Sequence, residues 1–199
     1  MLPNILLQLR IFATYMFSYW GAALIMSLTY NKNIPDKCWR NVLRNQLCYT
    51  VYPSLVIFSI YEPTKYNPVG WWFRLAWQLF ACVVLVDVLF YPLHRIFHIK
   101  FLYKFFHKTH HEFKHPIGAA ALYSGRLEYC LCNITPPLLA PMLVGCDEYV
   151  LTIWVCMATV NTVMAHAQIS GQHRVHHDIF GKNYGVGLML MDRLFGTLD

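Results

Sequence analysis

Long stretches without a charged residue are the feature that most restricts how this chain can fold. The first, Ile11 to Tyr30, has no charge in twenty residues, and a helix needs about 20 apolar residues to cross a bilayer. Only 13% of the chain is charged and 57% is hydrophobic, whereas a soluble domain has about 25% charged residues. The other apolar stretches are residues 45–61, 75–93, 129–146 and 149–165. The sequence therefore predicts an all-α, polytopic membrane protein.

These stretches predict three to four transmembrane helices plus a hairpin. We expect spans at residues 11–30, 45–61 and 75–93, with a kink at Pro53 because proline cannot donate a backbone hydrogen bond. Asp147 and Glu148 separate the two arms of a hairpin over residues 129–165. Residues 1–34 are interpreted as an N-terminal membrane anchor, and residues 35–199 as the domain that carries the chemistry.

The basic residues predict the orientation of the chain. With these spans, residues 31–46, 94–128 and 166–199 lie on one face and contain thirteen of the sixteen Lys and Arg residues. Cytosolic loops of membrane proteins carry such an excess of positive charge. We therefore expect a helical cap on the cytosolic face. The net charge of +6 follows this topology and not a nucleic-acid patch, so no nucleic-acid partner is expected.

All ten histidines lie between His94 and His177, just outside the predicted spans on the same face. Most form three clusters, "HRIFH", "HKTHH" and "HRVHH", which contain His94, His98, His107, His110, His111, His173, His176 and His177. Residues three and four apart share one face of a helix, so each cluster brings two or three imidazoles together. His166 ends the last span beside the third cluster, whereas His115 lies out of helical register with the second.

This number of imidazoles predicts two metal ions. Neutral imidazole binds iron, zinc and copper, and one ion takes about four to six ligands, so eight clustered rings exceed what a single ion needs. A zinc hydrolase usually has three protein ligands and one open position, which would leave most of these histidines unexplained. The pattern favours redox iron that acts on a lipid. A metal transporter is the competing class, but it needs ligands within the spans, where Asp87 is the candidate.

Three segments resemble the fatty-acid hydroxylase/sterol desaturase family of membrane di-iron oxygenases. They are "DVLFYPLHRIFH" (residues 87–98), "LYKFFHKTHHEFKHPIGAAALYSGRLE" (102–128) and "HRVHHDIFGKNYGVGLMLMDRLFGT" (173–197). "RNVLRNQL" (40–47) and "HKTHHEF" followed by "PIGAAALY" are most similar to the C4-methylsterol oxidase branch. The resemblance covers residues 35–199 and implies a non-haem di-iron domain there.

The resemblance also implies an activity and a set of iron ligands. The activity is oxidation of an unactivated C–H bond of a sterol or related lipid with O2, in the endoplasmic reticulum membrane. Electrons would come from NAD(P)H through cytochrome b5 or a reductase. A sterol C5-desaturase or fatty-acyl hydroxylase would use the same ligands, and a catalytically silent lipid- or metal-binding membrane protein is the alternative outside enzymes. The implied ligands to two iron ions are His94, His98, His107, His110, His111, His166, His173, His176 and His177.

The chain departs from this family at one expected ligand. Members of the branch usually read "AHPLE" where this chain reads "SGRLE" (residues 124–128), so Gly125 replaces a histidine. One iron is therefore expected either to lack a ligand or to use water or His115. Three carboxylates are predicted as outer partners of the ligating histidines: Asp87, Glu112 and Asp178. An ion pair with Arg95 is the alternative for Asp87, and a solvated surface charge is the alternative for Glu112.

Overall fold

The chain is helical almost throughout. The computed structural model describes residues 5–30, 32–61, 63–167 and 171–199, and no β-strand occurs among them. Short π-helical turns at Tyr103–His107 and Tyr129–Ile134 and 3-10 turns at His110–Glu112 and Gly118–Ala120 join the α-helices. The α-helices are α1 Ile5–Thr29, α2 Asp36–Tyr49, α3 Val51–Ile60, α4 Trp71–Phe97, α5 Lys100–Leu102, α6 Arg126–Glu128, α7 Thr135–Val144, α8 Glu148–His166, α9 Gly171–Asp178 and α10 Leu190–Leu194. The all-α prediction is confirmed.

Four helices in the described ranges are long and apolar enough to cross a membrane. They are α1, α4, α8 and the continuous helix Arg126–Val144, which joins α6, the π turn and α7. The chain is therefore a multi-pass membrane protein, as its uncharged stretches predicted. Residues 1–4 and 31 of the predicted anchor lie outside the described ranges. α1 packs along α8, and the division of the chain at residue 34 stays a prediction.

The stretch 45–61 does not form the single span that was predicted. The helix breaks at Thr50 into α2 and α3, because Pro53 has no N–H to donate to the carbonyl of Tyr49. That carbonyl accepts instead from the Cys130 thiol, with the sulfur 3.5 Å away. With ten residues, α3 is about 15 Å long, half of what a crossing requires.

α2 and α3 nevertheless carry the chain from one end of the molecule to the other. At the first end, the Cys38 thiol in α2 lies 3.3 Å from the Ala119 carbonyl oxygen. At the far end, the Tyr61 hydroxyl donates to the Cys146 carbonyl. Lys32, His115 and Ala167 line one small cavity at the first end. The three segments that were predicted to share a face therefore meet there.

The predicted hairpin is present and turns at the far end. Gly145 ends α7 with a φ of 72°, a left-handed conformation that glycine adopts without strain. Asp147 then caps α8 by accepting from the backbone N–H groups of Tyr149 (2.9 Å) and Val150 (3.0 Å). An ion pair of 2.8 Å between Arg10 and Glu148 fixes the start of α1 beside the start of α8. These two helices run in the same direction toward the histidines.

Candidate metal centre

Nine of the ten histidines converge into two sets at the end of the helices. Within each set, one nitrogen from every ring lies within 4.8 Å of the others. All nine side chains are buried except His98, which is half-buried. The five-histidine set contains His94, His98, His107, His111 and His176, and the four-histidine set contains His110, His166, His173 and His177. The structure therefore brings together every histidine that was predicted as a ligand.

Each cluster of three histidines divides between the two sets. Pairs four residues apart stay together, namely His107 with His111 and His173 with His177, whereas the third member enters the other set. Adjacent residues on a helix point about 100° apart, so the neighbours His176 and His177 face different sets. The prediction that all histidines of a cluster share one helix face is therefore correct for residues four apart and wrong for residues three apart. As a result, both sets draw on the same two short segments.

Hydrogen bonds fix which nitrogen of three rings in the five-histidine set carries the proton. The Nδ1 of His94 lies 2.6 Å from the Tyr184 carbonyl oxygen, and that of His176 lies 2.7 Å from the Lys182 carbonyl oxygen. Carbonyl oxygens only accept, so these Nδ1 atoms hold the proton. With Glu128 ionised, His107 also donates from Nδ1, to the carboxylate oxygen 2.7 Å away. A neutral imidazole has one N–H, and Nε2 of each ring is therefore a free lone pair.

The four-histidine set follows the same rule. Nδ1 of His166 lies 2.9 Å from the Thr162 carbonyl oxygen, one turn back on α8. Nδ1 of His110 lies 3.3 Å from the Tyr123 carbonyl oxygen. Both rings therefore present Nε2 as a lone pair to the interior of their set. Backbone carbonyls thus orient a histidine in each set, as second partners of metal-binding histidines do in proteins.

The lone pairs face each other at distances that fit a shared cation. The Nε2 atoms of His94 and His107 are 3.0 Å apart, and those of His110 and His166 are 3.3 Å apart. Two lone pairs repel at this range unless a positive ion attracts both. Two nitrogens that each bind an ion at about 2.1 Å and at right angles are about 3 Å apart. Buried nitrogens without a hydrogen-bond partner occur in both sets, on His98, His111, His173, His176 and His177. These residues fit two metal ions.

Burial keeps the rings in the form that binds metal. Removal from water lowers the pKa of His98 to about 3 and that of His176 to about 4; repulsion from His176 adds to the effect on His98. Burial first, and then repulsion from His166, lowers the pKa of His177 to about 2. These imidazoles are therefore neutral at pH 7, and a metal ion does not have to displace a proton from them.

Glu128 is a functional candidate that the sequence reasoning missed. Its carboxylate is 2% exposed, and one oxygen accepts from His107 while the other, Oε2, has no hydrogen-bond partner. A buried carboxylate requires a partner, and here the partner is a ring of the five-histidine set. The sequence signal was an acidic residue at the start of an apolar span, three positions after Gly125.

Asp87 supports the site through the backbone and not through a histidine. It is fully buried, and its carboxylate accepts from the backbone N–H groups of Val186 (3.1 Å) and Met191 (3.0 Å). Arg95 donates instead to the Tyr91 hydroxyl, at 2.7 Å. Neither predicted partner of Asp87 is therefore found. Its role is to hold the segment that follows α9 against α4.

Asp192, a second carboxylate that the sequence reasoning missed, holds the same segment. It accepts from the backbone N–H of Tyr184 at 2.8 Å and of Gly185 at 2.5 Å, and from the Thr197 hydroxyl at 2.7 Å. The segment that these bonds hold supplies two carbonyl oxygens to the five-histidine set. The Lys182 carbonyl accepts from His176, and the Tyr184 carbonyl accepts from His94. Two buried aspartates thus position the backbone that orients two rings of the five-histidine set.

The remaining predicted residues lie away from both sets. Glu112 accepts from the Tyr123 hydroxyl and pairs with Lys37 at 3.4 Å, with about half of its side chain exposed. Asp178 is exposed at the end of α9, and His115 is exposed beside the end of α1. His115 is therefore not the substitute ligand for Gly125. The surface-charge alternative for Glu112 agrees with this position.

Both histidine sets open onto one cavity of about 550 Å³, here called the inner cavity. His94 and His107 of one set and His110, His166 and His173 of the other form its upper end. It continues between α4, α7 and α8 along apolar side chains as far as Val83, about 16 Å below His94 along α4. Binding pockets for small molecules measure about 300–1,000 Å³. The inner cavity therefore has the size and lining of a site for an apolar molecule.

Comparison with known proteins agrees with this geometry. The human "fatty acid hydroxylase domain-containing protein 2" is 32% identical over 171 residues, which cover 79% of this chain and 50% of that protein. "Methylsterol monooxygenase 1" of Rattus norvegicus is 30% identical over 184 residues, covering 81% of this chain and 61% of the relative. The chain thus spans about half to three fifths of these relatives. No solved structure matches.

A family model provides the most direct comparison. The model described as fatty acid hydroxylase matches residues 79–197, which is more than half of the chain. The matched range begins in α4, eighteen residues before its end, and includes all nine histidines of the two sets. It also includes Glu128 and Asp192, which hold the sets from outside. The chain therefore belongs to the fatty acid hydroxylase family.

Proposed function

We propose that this protein is a membrane-bound oxygenase that uses O2 to hydroxylate an unactivated C–H bond of a sterol or related lipid. The observation that carries the proposal is the opening of both histidine sets onto one apolar cavity within the membrane-spanning helices. A lipid held in this cavity would lie beside the rings of both sets. The names of the relatives, a methylsterol monooxygenase and a fatty acid hydroxylase domain protein, support the reaction class.

Iron is the metal we propose for both sets. The five-histidine set would hold one ion and the four-histidine set the other, and iron would supply the redox chemistry that activates O2. Imidazole is neutral, so these rings would leave the charge of the two ions uncompensated. Glu128 contributes the carboxylate nearest the five-histidine set and holds the ring of His107 in place.

The residues of the inner cavity place the lipid and exclude water. Val83, Val86 and Phe90 on α4 face Trp154 and Met157 on α8 across the cavity. An apolar body held between these walls presents the carbon nearest the upper end to the histidines. The walls also keep bulk water from the reacting carbon, which prevents side reactions in a site of this kind.

The orientation and the electron supply are part of the same proposal. We propose an endoplasmic reticulum location with the histidine end in the cytosol. The three basic residues outside the histidine end, Arg10, Lys65 and Arg74, all lie near the turn of the hairpin or the loop beside it, which supports this orientation. A cytosolic site is accessible to electrons from NAD(P)H through cytochrome b5 or a reductase.

Iron content and lipid oxidation test the proposal together. Protein purified in lipid nanodiscs from iron-supplemented cells is expected to hold close to two irons per chain. Supplied with reductant and a 4-methylsterol, it is expected to yield a product heavier by one oxygen, with that oxygen derived from ¹⁸O2. Two irons without any oxidised lipid, over a panel of sterols and fatty acyl lipids, would contradict the oxygenase assignment.

Two single substitutions give this experiment a matched control. His176→Ala removes a ring of the five-histidine set and is expected to abolish lipid oxidation and to lower the iron content to one ion per chain or fewer. His115→Ala removes an exposed ring outside both sets and is expected to change neither quantity. Equal losses in the two variants would show that the assignment of ligands is wrong. A product that contains a new double bond, and no ¹⁸O, would identify a desaturase instead.

A further inference from the structure

A second cavity lies on the other side of the wall of the inner cavity. It measures about 350 Å³ and lies between α1, α3, α7 and α8; we call it the outer groove. Along α1 it extends from Ile5 to Tyr19, a distance of about 21 Å. Its lining is largely aliphatic and aromatic. No residue of the two histidine sets contributes to it, so the outer groove is distinct from the metal centre.

The outer groove opens toward the hydrocarbon of the bilayer. Leu9 on α1 and Val51 and Leu55 on α3 form its rim, and their side chains are 59%, 47% and 51% exposed. α1 is itself long and apolar enough to span the membrane, and α3 packs against α7 of another such helix, so the rim faces acyl chains and not water. A molecule can therefore enter the outer groove only from the lipid phase, which restricts its occupant to molecules with a long apolar body.

The partition between the two cavities is one side chain thick. Five residues line both of them: Leu122, Asn133, Pro137, Ala158 and Thr162. Ala158 and Thr162 are four residues apart on α8, so they stack on one face of the helix, and both side chains are small. Leu122, which lines both spaces with them, is the largest apolar side chain of the partition. The partition thus lies where the outer groove comes closest to the histidines.

We propose that the outer groove binds the apolar body of the lipid substrate on its way between the bilayer and the inner cavity. This inference rests on the proposed function for the identity of the substrate, although binding in the groove does not require oxidation. The lining that the two spaces share at Leu122, Ala158 and Thr162 and the lipid-facing rim assign this occupant. A sterol or acyl chain lies along α1 and passes the partition with its reacting end first.

Photolabelling tests the proposal with a defined probe. Protein in phosphatidylcholine nanodiscs is irradiated with a diazirine-bearing cholesterol, and the labelled peptides are mapped by mass spectrometry. Labels are expected on α1 and α3 at the outer groove, and unlabelled cholesterol should displace them. Labels confined to the remaining surface of α1 and α4 would overturn the proposal. So would groove labels from diazirine phosphatidylcholine that unlabelled cholesterol does not displace, because that result indicates a permanent bilayer lipid.

A matched pair of substitutions on α3 separates the groove from the rest of the surface. Ser54 lines the outer groove, whereas Ser59 is exposed on the same helix and does not line it. The Ser54 hydroxyl donates to the Thr50 carbonyl, and the Ser59 hydroxyl donates to the Val56 carbonyl. Ser54→Trp fills the groove and is expected to reduce groove labelling about tenfold, whereas Ser59→Trp is expected to leave it unchanged. Equal labelling in both variants would overturn the proposal.

A second pair on α7 keeps the test valid if Ser54→Trp does not fold. Leu138 lines the outer groove, whereas Leu143 is exposed beyond it, so Leu138→Trp should reduce labelling and Leu143→Trp should not. The iron content, expected to be unchanged in all four variants, reports that each is folded. Lipid oxidation with an unchanged KM in Ser54→Trp and Leu138→Trp would refute the groove and leave the proposed function intact. If labelling depends on the groove but the protein oxidises no lipid, the groove proposal holds and the proposed function is refuted.

Discussion

At the scale of single residues, the protonation of the buried rings explains why this site fits metal. Three histidines of one set donate Nδ1–H to fixed acceptors, and this leaves each Nε2 as a lone pair inside the set. Two of these acceptors are backbone carbonyls, which no substitution removes. The third is the Glu128 carboxylate, so Glu128 is the member of this outer layer that mutation can test.

Glu128→Gln is expected to weaken iron binding about 10–100-fold. The amide keeps the shape of the side chain, but it removes the negative charge that holds the His107 N–H and that balances the ion. Competition with a graded series of chelators measures the affinity. Glu112→Gln is the control, because Glu112 is half exposed and bonds to Tyr123 and Lys37. Similar losses of affinity in the two variants would exclude a specific role for Glu128.

Gly125, where the resemblance implies a histidine, is expected to accept a side chain. Its φ is −69°, which any residue adopts, and an added Cβ would lie 3.5 Å from the Phe106 carbonyl oxygen. Gly125→Ala should therefore change the free energy of unfolding by less than about 1 kcal/mol and leave the iron content unchanged. Thermal unfolding in detergent, followed by circular dichroism, measures the change.

Gly118 provides the contrasting position. A Cβ on Gly118 would lie 2.9 Å from the Val163 Cγ1 atom and 3.2 Å from the Val163 carbonyl oxygen. Gly118→Ala is therefore expected to destabilise the fold by about 1–3 kcal/mol. If Gly125→Ala were the more damaging of the two, Gly125 would have a structural role that its contacts do not show.

At the scale of secondary structure elements, the segment after α9 determines the geometry of the histidines. Its carbonyls at Lys182 and Tyr184 orient rings from α9 and α4, and it is itself held by Asp87 and Asp192. The segment after α9 contains no histidine. The histidine motifs therefore do not indicate its role, which is shown by the hydrogen bonds of its backbone groups.

Asp192→Asn is expected to destabilise the protein by about 2–3 kcal/mol, or roughly 5 °C in Tm for a chain of this size. The amide nitrogen would face N–H donors that now bond to a carboxylate oxygen. Iron content should fall as well, because the carbonyl that orients His94 shifts with the segment. Asp178→Asn, at an exposed position, should change neither Tm nor iron content. Stability lost without any loss of iron would limit Asp192 to a structural role.

The elements also show how far the sequence predicts this structure. The histidine spacing predicted which rings converge, because residues four apart on a helix must share a face. The spacing did not separate the rings into two sets, since that depends on how α4, α8 and α9 pack against the turn at residues 107–112. Pro53 was expected to kink one span, but the break at Thr50 leaves two short helices. Glu128 was missed because its partner His107 is distant in sequence. Asp192 was missed because its partners are two backbone N–H groups and a threonine hydroxyl, which leave no pattern in the sequence.

At the scale of the whole molecule, all basic residues except three lie at one end. This arrangement predicts which positions are accessible from the cytosol. With the exposed Cys48 changed to serine, Lys104→Cys should react with a membrane-impermeant maleimide added to sealed microsomes. Lys65→Cys should react only after the membranes are permeabilised. The reverse pattern would place the metal centre in the lumen and contradict the proposed electron supply.

The interleaving of the two histidine sets has a consequence for how the ions are loaded. The segment at residues 107–111 and α9 each contribute rings to both sets, so an ion that binds in one set also fixes the segments of the other. The entropy of ordering those segments is lost only once. The second ion should therefore bind more tightly than the first, and the chain should exist mainly with no ions or with two, as a cooperative switch does.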